Sequence, residues 1–270
     1  VTETANAGLP DAEPALVARL RAAGCVFAED EARLLCEAAA SPAELESLVS
    51  RRVEGLPLEA LLGWAEFCGL RVVVEPGVFV PRHRTEFLVK RAVDEVLERD
   101  RDAVVLDLCC GAGAIGAAIA SRVGPEGEFH AADIEPAAVR CARVNLEPRG
   151  TVYEGDLYDA LPETLRGRVT VLAVNAPYVP TESISLMPPE ARLHEPTIAL
   201  DGGEDGLDVH RRVAERASEW LAPGGVLLIE TSRGQADTSA ALFAAAGLDS
   251  VVETSDDFDA TIVVARRPGV

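Results

Sequence analysis

One stretch near the middle of the chain constrains its folding more than any other: Val104-Val-Leu-Asp107-Leu-Cys-Cys-Gly111-Ala-Gly113-Ala-Ile-Gly116. A β-branched apolar run closes on glycines and passes into small apolar residues, which predicts a strand, a tight turn and a helix start. Glycine lets the chain turn sharply and lets a ligand approach the backbone. The Gly-x-Gly-x-x-Gly spacing also suits a dinucleotide, so a nicotinamide cofactor stays open at this point.

The segments that follow repeat the same alternation. Strands are expected at Val104–Leu108, Glu128–Ala132, Thr151–Glu154, Val169–Val174 and Gly225–Glu230. Helices are expected at Ile115–Val123, Pro136–Leu146, Leu207–Leu221 and Gln235–Ala246. Val251–Glu253 and Ala260–Arg266 read as strands pairing antiparallel at the end. Such alternation implies an α/β fold with a mainly parallel sheet covered on both faces, and ligands at the carboxyl ends of its strands.

The first 100 residues follow different rules. Residues 1–13 are polar and are expected to fray. From Pro14 to Val53 the apolar spacing is helical, and Ser41-Pro42-Ala43-Glu44 has the residues of a helix start. Gly55 and Pro57 interrupt before Leu58–Leu62 resumes. Leu70–Val74, the Pro76-Gly77 turn and Val78–Val80 read as a β-hairpin, followed by an amphipathic helix from Thr85 to about Arg99. This divides the chain into a helical domain (1–72), a hairpin linker (73–84) and a ligand-binding domain (85–270).

Charge and cysteine usage narrow the function. The formal net charge is −20, and no basic run exceeds Arg51-Arg52, Arg211-Arg212 or Arg266-Arg267. That composition weighs against a nucleic-acid substrate, because phosphate contacts demand a basic face. The six cysteines form no Cys-x-x-Cys pair and the four histidines are scattered, so no metal site is expected. A reducing cytosol is expected, without a signal peptide or membrane span.

The acidic strand ends carry the first chemistry. Asp107 precedes the glycines, where a carboxylate favours a cationic cofactor with an amino-acid tail and repels a pyrophosphate. Asp133 ends the second strand, 22 residues after Gly111 (133 − 111), a position suited to accepting from ribose hydroxyls or to capping a helix. Asp156, in Gly155-Asp156-Leu157, is placed to meet an adenine amino group or to cap a turn. The most informative segment is Asn175-Ala176-Pro177-Tyr178. The Asn side-chain oxygen and the next carbonyl can accept both hydrogens of one amino group, Pro177 stiffens the turn, and Tyr178 offers an aromatic wall; a plain Asn-Pro-type turn is the alternative.

With these motifs the chain resembles the HemK/PrmC family of protein-(glutamine-N5) methyltransferases. Further marks are Gly77-Val-Phe-Val-Pro81-Arg82, Ala132-Asp133-Ile134-Glu-Pro136, Glu195-Pro196 through Leu200-Asp201-Gly202-Gly203-Glu-Asp205-Gly206, and Ile229-Glu230 with Gln235. The resemblance implies a Rossmann-like seven-stranded catalytic domain behind an N-terminal helical domain that recognises a protein substrate. It implies methyl transfer from S-adenosylmethionine (SAM) to a glutamine amide, as in the GGQ loop of peptide release factors. Asn175, Ala176, Pro177 and Tyr178 would hold the acceptor. Pro81, Asp107, Cys109, Gly111, Gly113, Gly116, Asp133, Ile134, Asp156, Leu157 and Asn175 would hold the cofactor. Ala176 stands where the family has proline, and His83-Arg84 stands where it has Pro-Glu or Pro-Asp. A paralogue with another substrate stays open, as do an exocyclic-amine methyltransferase acting on RNA or DNA, a nicotinamide oxidoreductase and a SAM-binding protein without turnover. His83 reads as a rim residue.

Overall fold

In the central sheet, successive residues of each strand face opposite sides, and both sides are apolar. Val105, Val171, Ala173, Val226, Leu228, Ile262 and Val264 pack on one side. Leu106, Leu172, Val174, Leu227, Ile229, Val263 and Ala265 pack on the other. A sheet buried on both faces must be covered by helices on both, and this one is. The computed structural model describes residues 14–98, 103–125 and 127–269. The expected fraying of residues 1–13 and the expected helix end at Arg99 fall outside them.

The sheet contains β3 (Val104–Leu108), β4 (Glu128–Asp133), β5 (Gly150–Glu154), β6 (Val169–Val174), β7 (Leu221–Thr231), β8 (Asp249–Ser255) and β9 (Ala260–Arg266). Their spatial order is β5-β4-β3-β6-β7-β9-β8. The pairs from β5 to β7 are parallel, and β9 runs antiparallel to both β7 and β8. Chain order reverses at β3, and a crevice opens at its carboxyl end. Helices α5 (Glu86–Leu97), α6 (Ala114–Val123) and α7 (Pro136–Leu146) cover one face. Helices α9 (Asp208–Trp220) and α10 (Ala236–Ala245) cover the other, where Tyr158 and Trp220 stack with ring centroids 5.7 Å apart.

Ahead of the sheet lie α1 (Pro14–Ala22), α2 (Ala28–Ala38), α3 (Pro42–Val53) and α4 (Leu58–Leu62). They share a core of their own, built on Leu16, Leu20, Ala32, Leu35, Leu48 and Val49. Ser41 caps α3 as expected, its Oγ accepting from the Glu44 amide at 3.2 Å. The Arg52 guanidinium, nearly buried, pairs with Glu31 of α2 and with Glu190 of α8 (Pro189–His194), tying the bundle to the loop after β6.

The expected hairpin needs correcting. Its strands are β1 (Trp64–Phe67) and β2 (Leu70–Val73), joined through Cys68 and Gly69, both at positive φ. Val78–Val80 is not a strand. Val78 donates to the Glu75 carbonyl in a turn, and the Val80 amide donates to the Glu195 carboxylate at 3.3 Å. The hairpin therefore lies before residues 73–84, and Ala65, Phe67, Val72 and Val74 join the core on the α5–α7 side of the sheet.

Candidate active site

The turn after β3 is held from behind. Asp107 follows Val105 by two residues, so its side chain lies on the face covered by α6. It is fully buried, and its Oδ2 accepts from the Gly116 amide at 2.8 Å, while Oδ1 has no partner among the described residues. Gly113 sits at φ +74°, and a Cβ there would lie 2.9 Å from the Cα and Cβ of Ala142. Asp107, Gly113 and Gly116 thus support the loop from outside the cavity wall, and the reading of Asp107 as a direct partner for the cofactor's amino-acid tail does not match its placement. Gly113→Ala combines a disfavoured φ with a backbone clash. It is expected to destabilise the fold by about 2 kcal/mol in urea unfolding.

Burial pushes the Asp107 carboxyl up to about 8, against the pull of the Gly116 amide and with added repulsion from Asp133. The folded state therefore keeps its proton where the unfolded chain, near 4, has lost it. Stability from this group falls as pH rises through that window. Asp107→Asn removes the titration, so its stability relative to wild type should rise between pH 4 and 8.5 by at least about 1.4 kcal/mol, one pKa unit's worth. Urea unfolding of both proteins at the two pH values checks this.

On the open side of the loop is a cavity of about 410 Å³. Cys109, Gly111, Asp133 and Ile134 form one wall, with Asp156, Leu157 and Pro81 close by. Asp133 braces this wall: its Oδ2 accepts from the Gly111 amide at 2.8 Å and its Oδ1 from the Glu135 amide at 2.9 Å. Burial raises its pKa. Asp156 pairs with Arg212 at 2.7 Å. The Cys109 thiol is pushed far up by burial and nearby carboxylates, so it stays a neutral wall group.

Asn175, Ala176, Pro177 and Tyr178 line the same cavity, beyond the end of β6. Asn175 Nδ2 donates to Thr85 Oγ1 at 3.3 Å, which orients the amide. The Tyr178 hydroxyl donates to Glu230 Oε1 at 3.0 Å. Burial, then the neighbouring Glu230, raises the Tyr178 pKa, so the phenol keeps its proton. Ala176 is 2% exposed and packs into the core on the α9 side, leaving its backbone at the cavity.

The late motifs brace this loop. Gln235 Nε2 donates to the Tyr178 and Asp205 carbonyls at 2.9 and 2.8 Å. A Cβ at Gly206 would lie 2.3 Å from the Tyr178 oxygen, so glycine is required there. Glu195, its side chain buried, pairs with Arg82 and fixes the Pro81-Arg82 segment. Thr85, Phe79 and Glu230 also line the cavity and were not singled out as site residues from sequence. His83 is exposed, bonded to Glu86 at 3.1 Å, and stands outside the cavity.

The cavity suits SAM. Its volume lies within the range of small-ligand pockets, Asp133 and Asp156 offer acidic acceptors for hydroxyl and amino groups, and Ile134 gives an apolar face. No group of three or more metal-ligating side chains gathers among the described residues. A switch-point crevice of this sheet order, with a glycine loop, an acidic strand end beside it and an Asn-Ala-Pro-Tyr edge opposite, defines an SAM-dependent methyltransferase.

Comparisons with known proteins agree. Residues 69–186 match the methyltransferase small domain family model. A Geobacter sulfurreducens protein named release factor glutamine methyltransferase is 37% identical over 235 residues, covering 85% of this chain and 80% of that one. A Streptomyces pristinaespiralis protein named 4-amino-L-phenylalanine/4-methylamino-L-phenylalanine methyltransferase is also 37% identical, over 217 residues, covering 78% and 73%. A methyltransferase of known structure from Pyrococcus furiosus shares the fold, with TM-score 0.55 and 16% identity over 82% of this chain and 98% of that one. The chain belongs to the release factor glutamine methyltransferase family.

Proposed function

We propose that this enzyme methylates the side-chain amide nitrogen of a glutamine in a polypeptide, with a peptide release factor as the substrate. The observation that carries the reading is the orientation of Asn175. Its Nδ2 is spent on Thr85, which leaves Oδ1 beside the Ala176 backbone as a second acceptor at the cavity. Two acceptors so placed match the two hydrogens of one planar NH₂ group.

Bound SAM supplies a methyl group already activated by the sulfonium, without a metal. The chain's residues do the rest by positioning, worth at most ~7–11 kcal/mol for well-oriented pairs. An amide nitrogen is a poor nucleophile because its lone pair is delocalised. Asn175 Oδ1 and the Ala176 carbonyl draw on its N–H bonds, and both contacts strengthen as positive charge develops on nitrogen. Tyr178 and Phe79 offer flat apolar walls, and the cavity excludes water.

A polypeptide substrate accords with the cavity mouth. Met187 and Ile198 line it, and Leu186, Leu193 and Ile198 expose apolar side chains along the loop that Arg52 ties to the helical bundle. The bundle serves, in this reading, to recognise the substrate protein, and the site of action is the cytosol. No helix among the described residues is long and apolar enough to cross a membrane.

A second reading has a specific observation behind it. The Streptomyces pristinaespiralis relative is named for an aromatic amine on a free amino acid, and an aniline NH₂ also presents two hydrogens in a near-planar group. Methyl transfer from labelled SAM to a release factor, to 4-aminophenylalanine and to cell extract split between protease and nuclease digestion separates the cases. Label recovered as N5-methylglutamine supports the first reading. Label on the free amine alone moves the enzyme to the second, and label released only by nuclease rejects both.

A further inference from the structure

Glu230 lies at the carboxyl end of β7, 2% exposed, with its carboxylate at the cavity. Burial raises its pKa, and the Thr85 hydroxyl, the Tyr178 hydroxyl and the positive charges of Arg84 and Arg82 act against that rise. Oε1 accepts from Tyr178 at 3.0 Å. Thr85 is itself 2% exposed, and its oxygen accepts from Asn175 Nδ2 at 3.3 Å.

A hydroxyl has one proton and two lone pairs, whereas an ionised carboxylate only accepts. With its proton directed at Glu230, Thr85 presents a lone pair to Asn175, which must then answer with its NH₂ end. We propose that Glu230 is a positioning residue for methyl transfer: as a buried acceptor it sets the direction of the chain from Asn175 through Thr85, so that Asn175 turns its oxygen to the substrate nitrogen. The same carboxylate fixes the Tyr178 ring through its hydroxyl. This rests on the reading of Asn175 as an acceptor for the substrate NH₂.

Glu230→Gln preserves shape and packing but adds a donor. The amide can donate to Thr85, whose proton then turns to Asn175 and favours the flipped amide, with its NH₂ group facing the substrate hydrogens. Glu230→Gln and Thr85→Val are each expected to lower kcat about tenfold or more while SAM affinity stays within about twofold, an effect near 1.4 kcal/mol in the barrier. Because both act through one chain, the double variant should fall little below the worse single one. Thr85→Ser, which keeps the hydroxyl, should recover most of what Thr85→Val loses.

The test joins kinetics with NMR of the full chain. The Asn175 side-chain NH₂ signal, assigned by its loss in Asn175→Asp, should exchange slowly with solvent in wild type and Thr85→Ser. It should exchange fast in Thr85→Val and Glu230→Gln. Wild-type kcat in Glu230→Gln, an unchanged Asn175 signal in that variant, or losses that multiply in the double variant would overturn the proposal. If the wild type transfers no methyl to glutamine, the functional reading fails, and the NMR arm alone still decides the chain. If Glu230→Gln does not fold, the Thr85 pair carries the same comparison.

Discussion

Asn175→Ala lowers kcat by ~10²–10³-fold and leaves the dissociation constant for SAM within about twofold, the pattern of an interaction made chiefly in the transition state. The acceptor nitrogen starts neutral and conjugated, and it gains positive charge as the carbon–nitrogen bond forms and the carbon–sulfur bond breaks. An oxygen fixed beside its N–H costs no reorganisation at that moment, because Thr85 already holds the amide. Removing it leaves the Ala176 carbonyl as one acceptor where there were two, while the cofactor wall at Gly111 and Asp133 stays intact. The sequence placed Asn175 in both the acceptor and the cofactor set, and this split decides between them. Parallel losses in turnover and SAM affinity, by stopped-flow and calorimetry, would remove Asn175 from the acceptor role.

Much of this arrangement was legible in the sequence because parallel strands buried on both faces are written as near-continuous apolar runs. Val104–Leu108 and Val169–Val174 end abruptly at glycine and asparagine, and their observed bounds match the expected ones. The hairpin was misplaced for a chemical reason. Its turn uses Cys68 at φ 55° and Gly69 at φ 78°, and cysteine gives no signal for a left-handed position, whereas Pro76-Gly77 advertises a turn that joins no strands. Asp107 shows a different limit. Its position at a strand end is local information, but its orientation follows from sharing a face with Val105, toward α6 rather than the cavity. Thr85 and Glu230 escaped because they meet Asn175 and Tyr178 only in three dimensions, from segments 52 to 145 residues apart. An acid closing a parallel strand at the ligand edge was the available sign for Glu230.

The complement of Asn175 is Asp133, where the expected loss is in binding. Its two oxygens each accept a backbone amide, from Gly111 and Glu135, and so fix the glycine loop against the end of β4. Ionised oxygens retain further lone pairs for the hydroxyls of a ribose at the cavity wall. Asp133→Ala removes both functions at once. SAM affinity should fall about 100-fold, as expected for two or three charge-assisted hydrogen bonds, with kcat at saturating cofactor reduced far less. Burial raises the Asp133 pKa, so protonation begins at a higher pH than for an exposed carboxylate. A protonated Asp133 loses acceptor strength, and wild-type SAM affinity should therefore weaken as pH falls through that raised value, with Asp133→Ala flat over the same range. Calorimetric titration of both proteins from pH 8 to 5 reads the two slopes. Equal slopes would assign the pH dependence to another carboxylate of the cavity, with Asp156 the first to examine.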